Sequence, residues 1–198
     1  MVVSLRSSKA ADRFARSAAF CCVPGIDSIR DKGIGNDMVG ELGEVTGFRG
    51  EKILELCLTD YQSFKKPLFR PGFLGDKWPA IDFYVELTSV KGKQPYFFAQ
   101  AKSTSVVLTP TATDLGISTK KKDIERLLRI PGPTYIFGIH EPSRRVFVRS
   151  IHAGVPVKAI SRISLSHELT SSNLQVLHDE VRGYWIANNH EKLSQNGS

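Results

Sequence analysis

Cysteine is scarce in this chain of 198 residues: Cys21, Cys22 and Cys57 are the only three. An odd count with two adjacent members excludes a disulfide framework, and no second pair exists to complete a zinc site. Long apolar runs are lacking too. None approaches the ~18 residues that a membrane-spanning helix needs, and no secretory apolar segment opens the chain. Reduced thiols without a span or a secretory signal read as a cytoplasmic protein with no membrane partner. Several catalytic signatures are also absent. There is no G-x-S-x-G, no G-x-x-x-x-G-K, and His140, His152, His167, His178 and His190 never fall at a paired helical spacing. These absences argue against a serine hydrolase, an ATPase and a His-based zinc site.

What is present is ordinary for a globular chain: 41% hydrophobic and 24% charged residues. At about 150 residues per domain, the length suits one domain with an arm. Twenty-seven Lys and Arg against twenty Asp and Glu give a net charge of +7, which suits a polyanionic partner. The charge is uneven: residues 142–162 sum to +5 with no acid, whereas 36–118 sum to −1. The first 20 residues carry Arg6, Lys9, Arg13 and Arg16 against Asp12 alone. That composition is shared by organelle transit peptides and basic arms, and we read it as a basic arm or first helix.

Proline and glycine divide the rest. Pro24, Gly25, Gly33, Gly35 and Gly40 mark a linker; Pro67, Pro71, Gly72, Gly75 and Pro79 mark a long loop. Residues 1–40 therefore form a basic arm or helix plus linker, 41–190 the domain, and 191–198 a disordered tail. Within the domain, residues 45–64 read as a helix, 81–88 and 96–102 as strands around a turn at Lys91–Lys93, and 119–129 as a second helix. Strands follow at 134–139 and 145–151, then a helix at 171–187 with Leu174, Leu177, Val181 and Trp185 on one stripe. This order predicts an α/β domain with a mixed central sheet flanked by helices.

The chemistry-bearing residues fall on the first two strands. Asp82, Tyr84 and Glu86 share one face of residues 81–88, and Tyr96, Phe98, Gln100 and Lys102 share one face of residues 96–102. If the two form a hairpin about Lys91 or Gly92, paired numbers sum to about 182–184, and Asp82 lies opposite Gln100 or Lys102. A carboxylate, an amide oxygen, the Ala101 carbonyl and an ammonium then converge, and hard oxygens with room for water suit Mg²⁺. On the preceding helix Glu51, Leu54, Leu58 and Tyr61 form one stripe, expected to face the sheet. Glu51 serves equally as a metal ligand, a partner of Lys102, or a surface partner of Arg49, Lys52 or Lys65. Glu44 and Glu55 lie within about 40° of it on the helical wheel.

Gly50-Glu51 on a helix, Ile81-Asp82 opening a strand and Gln100-Ala101-Lys102 closing the next resemble the PD-(D/E)xK nuclease superfamily. The segment 97–104, FFAQAKST, is most similar to its Q-x-K branch, which includes Mrr-like restriction enzymes and related small bacterial nuclease-like proteins. The resemblance covers residues 45–150. It implies a restriction-endonuclease-like sheet with N-terminal and C-terminal helical additions, and a Mg²⁺-dependent DNA endonuclease, with Mn²⁺ able to substitute, used in restriction or phage defence. Asp82 would be the central metal ligand, with Gln100, the Ala101 carbonyl and Glu51 completing the set, and Lys102 would act on the attacking water or the phosphate. Two departures stand out: Ile81 rather than proline precedes Asp82, and Gln100 replaces the usual acid, removing one negative charge from the site.

For the grip on DNA, the candidates are Ser103, Thr104 and Ser105 after the catalytic strand, Lys120, Lys121 and Lys122 at the second helix, and a second patch of Arg144, Arg145 and Arg149. The lysine triplet reads equally as a solvated helix end. One site per chain and a symmetric duplex favour a homodimer, and the N-terminal arm offers a surface for a protein partner. The rival reading is a catalytically silent nuclease fold that binds DNA or a partner. An RNA-directed nuclease ranks lower because no aromatic stacking platform is evident.

Overall fold

The computed structural model describes residues 35–61, 65–75, 78–88, 90, 94–154 and 156–188, with side chains of the first helix from Gly43 onward. The described residues from Asn36 onward belong to one compact unit. The basic arm, the turn at 91–93 and the tail lie outside the described residues.

The first helix, α1, spans Gly35–Leu58. It begins ten residues earlier than the pattern predicts, running through a segment read as linker because of its glycines. Glycine costs a helix interior only about 1 kcal/mol per residue, which tertiary packing outweighs. Leu54 and Leu58 are fully buried, as the stripe required, but α1 stops at Leu58, and Tyr61 lies exposed beyond it instead of facing the sheet.

Five strands form the central sheet in the order β1 (Phe69–Phe73), β2 (Phe83–Leu87), β3 (Tyr96–Thr104), β5 (Thr134–His140) and β6 (Arg145–Ile151). β1, β2 and β3 are antiparallel neighbours, β3 and β5 run parallel, and β6 returns antiparallel. The parallel step is made through helix α2 (Lys121–Leu127). A small second sheet pairs β4 (Asp114–Gly116) with β7 (Arg162–Ser164), and helix α3 (Ser171–Asn188) closes the described chain. The domain is thus mixed α/β, with a five-stranded mixed sheet flanked by helices.

β1, β4 and β7 are the elements the pattern missed. β1 lies inside the segment read as a loop, and it tolerates Pro71 because it is an edge strand, where a missing N–H can face solvent. β4 and β7 are three residues each, too short to show alternation.

Two apolar layers cover the sheet. Leu54 and Leu58 of α1 and Leu174, Leu177 and Val181 of α3 pack on Phe83, Val85, Phe97, Ala99, Phe137 and Ile139. Ile124 and Leu127 of α2, with Leu115 of β4 and Ile163 of β7, pack on Ile136, Phe147 and Ile151 on the other face. Cys57 joins the first layer, its Sγ 3.8 Å from the Leu169 carbonyl, and burial pushes its thiol up to about 12, aided by Asp60 and Glu168. It is protonated and unreactive at neutral pH.

The entry to β2 is a strained corner. Ala80 sits at φ 68°, in the left-handed region, and Ile81 beyond it is turned into the second core layer. The Ile81 N–H donates to the Trp78 carbonyl at 3.2 Å and the Asp82 N–H to the Ala99 carbonyl at 2.9 Å. A β-branched side chain at Ala80 conflicts with that backbone. Ala80→Val is expected to lower stability by about 1–3 kcal/mol, whereas Ala80→Gly stays near wild type. Urea unfolding of the two variants checks this; equal midpoints would remove the corner as a source of strain.

Candidate functional site

β2 and β3 pair with numbers summing to 182: Phe83 faces Ala99 and Tyr84 faces Phe98. β3 runs on to Thr104, while β2 begins only at Phe83. The sheet therefore opens beside residues 101–104, and Asp82 stands at that opening. Its Oδ2 accepts from the Ala101 N–H at 2.6 Å, which fixes the carboxylate against β3. The Ala99 carbonyl and the Ala101 N–H both point to the β2 side, and the N–H and C=O of one strand residue point the same way. The Ala101 carbonyl thus faces the opening.

Above the opening lies α1. A cleft of about 480 Å³ is lined by Gly43, Thr46, Gly47 and Glu51 of α1, by Asp82, and by Ala101, Lys102, Ser103, Thr104 and Ser105. Of the residues expected to act, Glu51, Asp82, Ala101, Lys102, Ser103 and Thr104 share this one cavity. Glu51 is half-buried on it, while Arg49 pairs with Glu141 at 2.5 Å and Lys52 with Glu55 at 2.8 Å. α1 is held close at this point because Gly50 packs on Ser103: a Cβ built there would fall on Ser103 Oγ and 2.7 Å from Ser103 Cβ.

Gln100 is placed differently. It is only 2% exposed and does not line the cleft, and its Oε1 has no hydrogen-bond partner. Strand alternation keeps it on the Lys102 face, one peptide below the cleft floor. A buried amide oxygen without a partner costs about 1–3 kcal/mol. Among the described residues no group of three or more His, Cys, Asp or Glu side chains gathers as a metal cluster. The oxygen donors that line the cleft are two carboxylates and a main-chain carbonyl, and the Gln100 amide oxygen is buried outside it. That set fits Mg²⁺, which binds through one or two carboxylates and keeps several waters.

The expected DNA-gripping residues separate. Lys120, Lys121 and Lys122 are exposed at the start of α2 and none lines the cleft; Lys121 is 3.8 Å from Glu125. Arg145 is committed elsewhere. Its Nε and Nη2 donate to the two Glu168 oxygens at 2.9 and 2.7 Å, and its guanidinium lies 5.1 Å from the Phe147 ring centre. Those hydrogen bonds hold its pKa above the ordinary value. Arg145 therefore clamps β6 to the segment before α3 instead of presenting its fork to phosphate.

Sequence reasoning missed Gly43, Thr46 and Gly47 as lining residues. The signal for the glycines was available: with Glu51 they follow i, i+4, i+8, so the acid sits on a helix face otherwise bare. Nothing lies within 4 Å of a Cβ built on Gly43 or Gly47, so neither glycine is required by packing. Three rings that sequence reasoning did not group also come together. Tyr84, Tyr96 and Phe98 gather on the strand face that carries Asp82 and Lys102, with ring centres 5.1–5.8 Å apart. The strand parities showed this face; the cross-strand register was needed to show that the rings meet.

No protein-family model matches this sequence, and no curated protein matches it. Among the described residues no helix is long and apolar enough to cross a membrane.

Proposed function

We propose that this protein is a metal-dependent DNA endonuclease with a restriction-endonuclease-like core, acting as a symmetric pair of chains in restriction or phage defence. The observation that supports this most is the order of the parts around one cleft. A helix carrying Glu51 is followed by an edge strand, by Asp82 at the mouth of β2, by Gln100-Ala101-Lys102 on β3, and then by a helix and a parallel strand.

The proposed division of labour follows from the placements. Asp82, the Ala101 carbonyl and Glu51 would hold Mg²⁺, with the Gln100 amide oxygen beneath them; the ion, when bound, supplies Lewis-acid activation of the phosphate and a more acidic water. Asp82 keeps its orientation because the Ala101 N–H holds one of its oxygens. Lys102, on the same strand face and in the same cleft, donates hydrogen bonds to a non-bridging phosphate oxygen or the attacking water. Ser103, Thr104 and Ser105 offer hydroxyl and main-chain donors to the neighbouring phosphates. The lysine run at 120–122 contributes longer-range attraction.

A second reading, a catalytically silent fold that binds DNA or a partner, is favoured by one observation: the residue in the usual acid position is a neutral amide below the cleft floor. Plasmid and linear DNA incubated with Mg²⁺, Mn²⁺ or EDTA separates the two. Wild type is expected to cut with either metal and not with EDTA, and Asp82→Ala to lose cutting by at least a hundredfold. Intact DNA under all three conditions, with binding retained, selects the silent module.

A further inference from the structure

The aromatic cluster on β2 and β3 has no role in holding a metal. Tyr84 and Phe98 face each other across the two strands, with ring centres 5.8 Å apart. Tyr96 lies 5.1 Å from Tyr84 and 5.6 Å from Phe98, and the Trp185 ring stands 4.5 Å from Tyr96. Trp185 is anchored there by its Nε1–H, which donates to the Tyr96 carbonyl at 2.7 Å. All four side chains are half-buried, so part of each remains in solvent. Phe98 packs against the second apolar layer and Trp185 against the first, and the outer parts of the rings stay at the surface.

Their position relative to the cleft is fixed by the strands. Tyr84 is two residues beyond Asp82 and Phe98 four before Lys102, so the rings are displaced from the cleft by about 7 Å and about 13 Å along their strands, on the same face. A chain whose phosphate sits in the cleft and which follows the strands therefore passes over the rings. Beyond the rings Glu86 pairs with the exposed Arg70 at 3.5 Å and accepts from the Tyr84 hydroxyl, so the two charges there offset each other, while Lys102 lies before the rings. Aromatic rings beside a cation that meets phosphate suit an unpaired strand, because every nucleobase offers a flat face while duplex bases are already stacked.

We propose that this face binds an unpaired polynucleotide strand, its bases stacking on Tyr84, Tyr96 and Phe98 while its phosphate enters the cleft. This deepens the nuclease reading and rests on it. The substrate would be single-stranded, or a duplex opened beside the cut.

The test is binding in EDTA, so that nothing is cut, of short fluorescent oligothymidylate and oligouridylate strands and of a blunt DNA duplex, read by anisotropy and by Trp185 quenching. Tyr84→Leu keeps the apolar volume and removes the ring; Tyr84→Phe keeps the ring. Tyr84→Leu is expected to weaken single-strand binding about tenfold, with a smaller loss on the duplex, and Tyr84→Phe to bind like wild type. Preference for thymidylate or uridylate decides which polynucleotide is the ligand. Equal losses on single strand and duplex, or no loss, overturn the proposal. So does a change of oligomeric state in Tyr84→Leu, which would make this face a contact between copies. If wild type cuts plasmid with Mg²⁺ yet binds no single strand, the stacking face fails and the nuclease reading stands. If it neither cuts nor binds any polynucleotide, both fail.

Discussion

Replacing Lys102 with alanine is expected to reduce DNA cleavage about 10²–10³-fold while the protein folds and binds DNA almost as before. The size follows from what an aimed donor does in a cleft. A hydrogen bond or charge directed where negative charge develops is worth several kcal/mol to the transition state and little to the ground state. Lys102 meets that description because it lines the cleft together with Glu51 and Asp82, which leaves the local balance at two acids against one base. Stability should hardly change, since Lys102 is half-buried at the end of β3 and makes no part of either apolar layer. Lys102→Arg is the informative companion. It keeps the charge, and its wider, more weakly hydrated head in the same cleft leaves the rate low if an ammonium must contact the water. Single-turnover cleavage with saturating enzyme measures the chemical step. A rate for Lys102→Ala close to wild type removes Lys102 from the mechanism.

The sheet that carries this lysine was legible in the sequence because strict alternation survives at residues 83–87 and 96–102. With one face buried, a register error would move every apolar side chain into water. The pairing sum of 182 lies within the range the sequence allowed. Other parts were hidden for identifiable reasons. β1 was masked by Pro71 and Gly72, whose meaning reverses once the strand is known to lie at an edge. α1 was cut short because glycine was read as punctuation, whereas Gly50 is there for close approach to β3. Arg145 looked like a free cation because its partner Glu168 is 23 residues away and reaches it only through the fold. Gln100 was placed correctly on its strand face, but alternation reports the side of a strand and not its depth. Its burial comes from its place in the middle of the central strand, beside Ile136 of β5.

Three glycines of α1 should respond in opposite ways to the same substitution, and the difference tests how the cleft is built. At Gly43 and Gly47 an added Cβ meets nothing within 4 Å. Alanine there relieves the helix of glycine's entropic cost, and each variant should gain up to about 1 kcal/mol in stability. At Gly50 the Cβ collides with Ser103, and the colliding atoms include Ser103 Cβ, which is fixed to the strand and cannot swing aside. Relief requires α1 to move off β3. Such overpacking costs about 1–3 kcal/mol, more than the helix gain at most of that range, so Gly50→Ala should be less stable by about 1–2 kcal/mol. The same movement displaces Glu51, the next residue, from Asp82, so cleavage should fall along with stability. Adding Ser103→Gly removes both colliding atoms and should return most of the lost stability, a coupling expected only for residues in contact. Urea unfolding of the two single variants and the double variant gives the cycle directly. If Gly50→Ala gains stability as Gly47→Ala does, α1 does not rest on β3 at this point, and Glu51 loses the support that places it in the cleft.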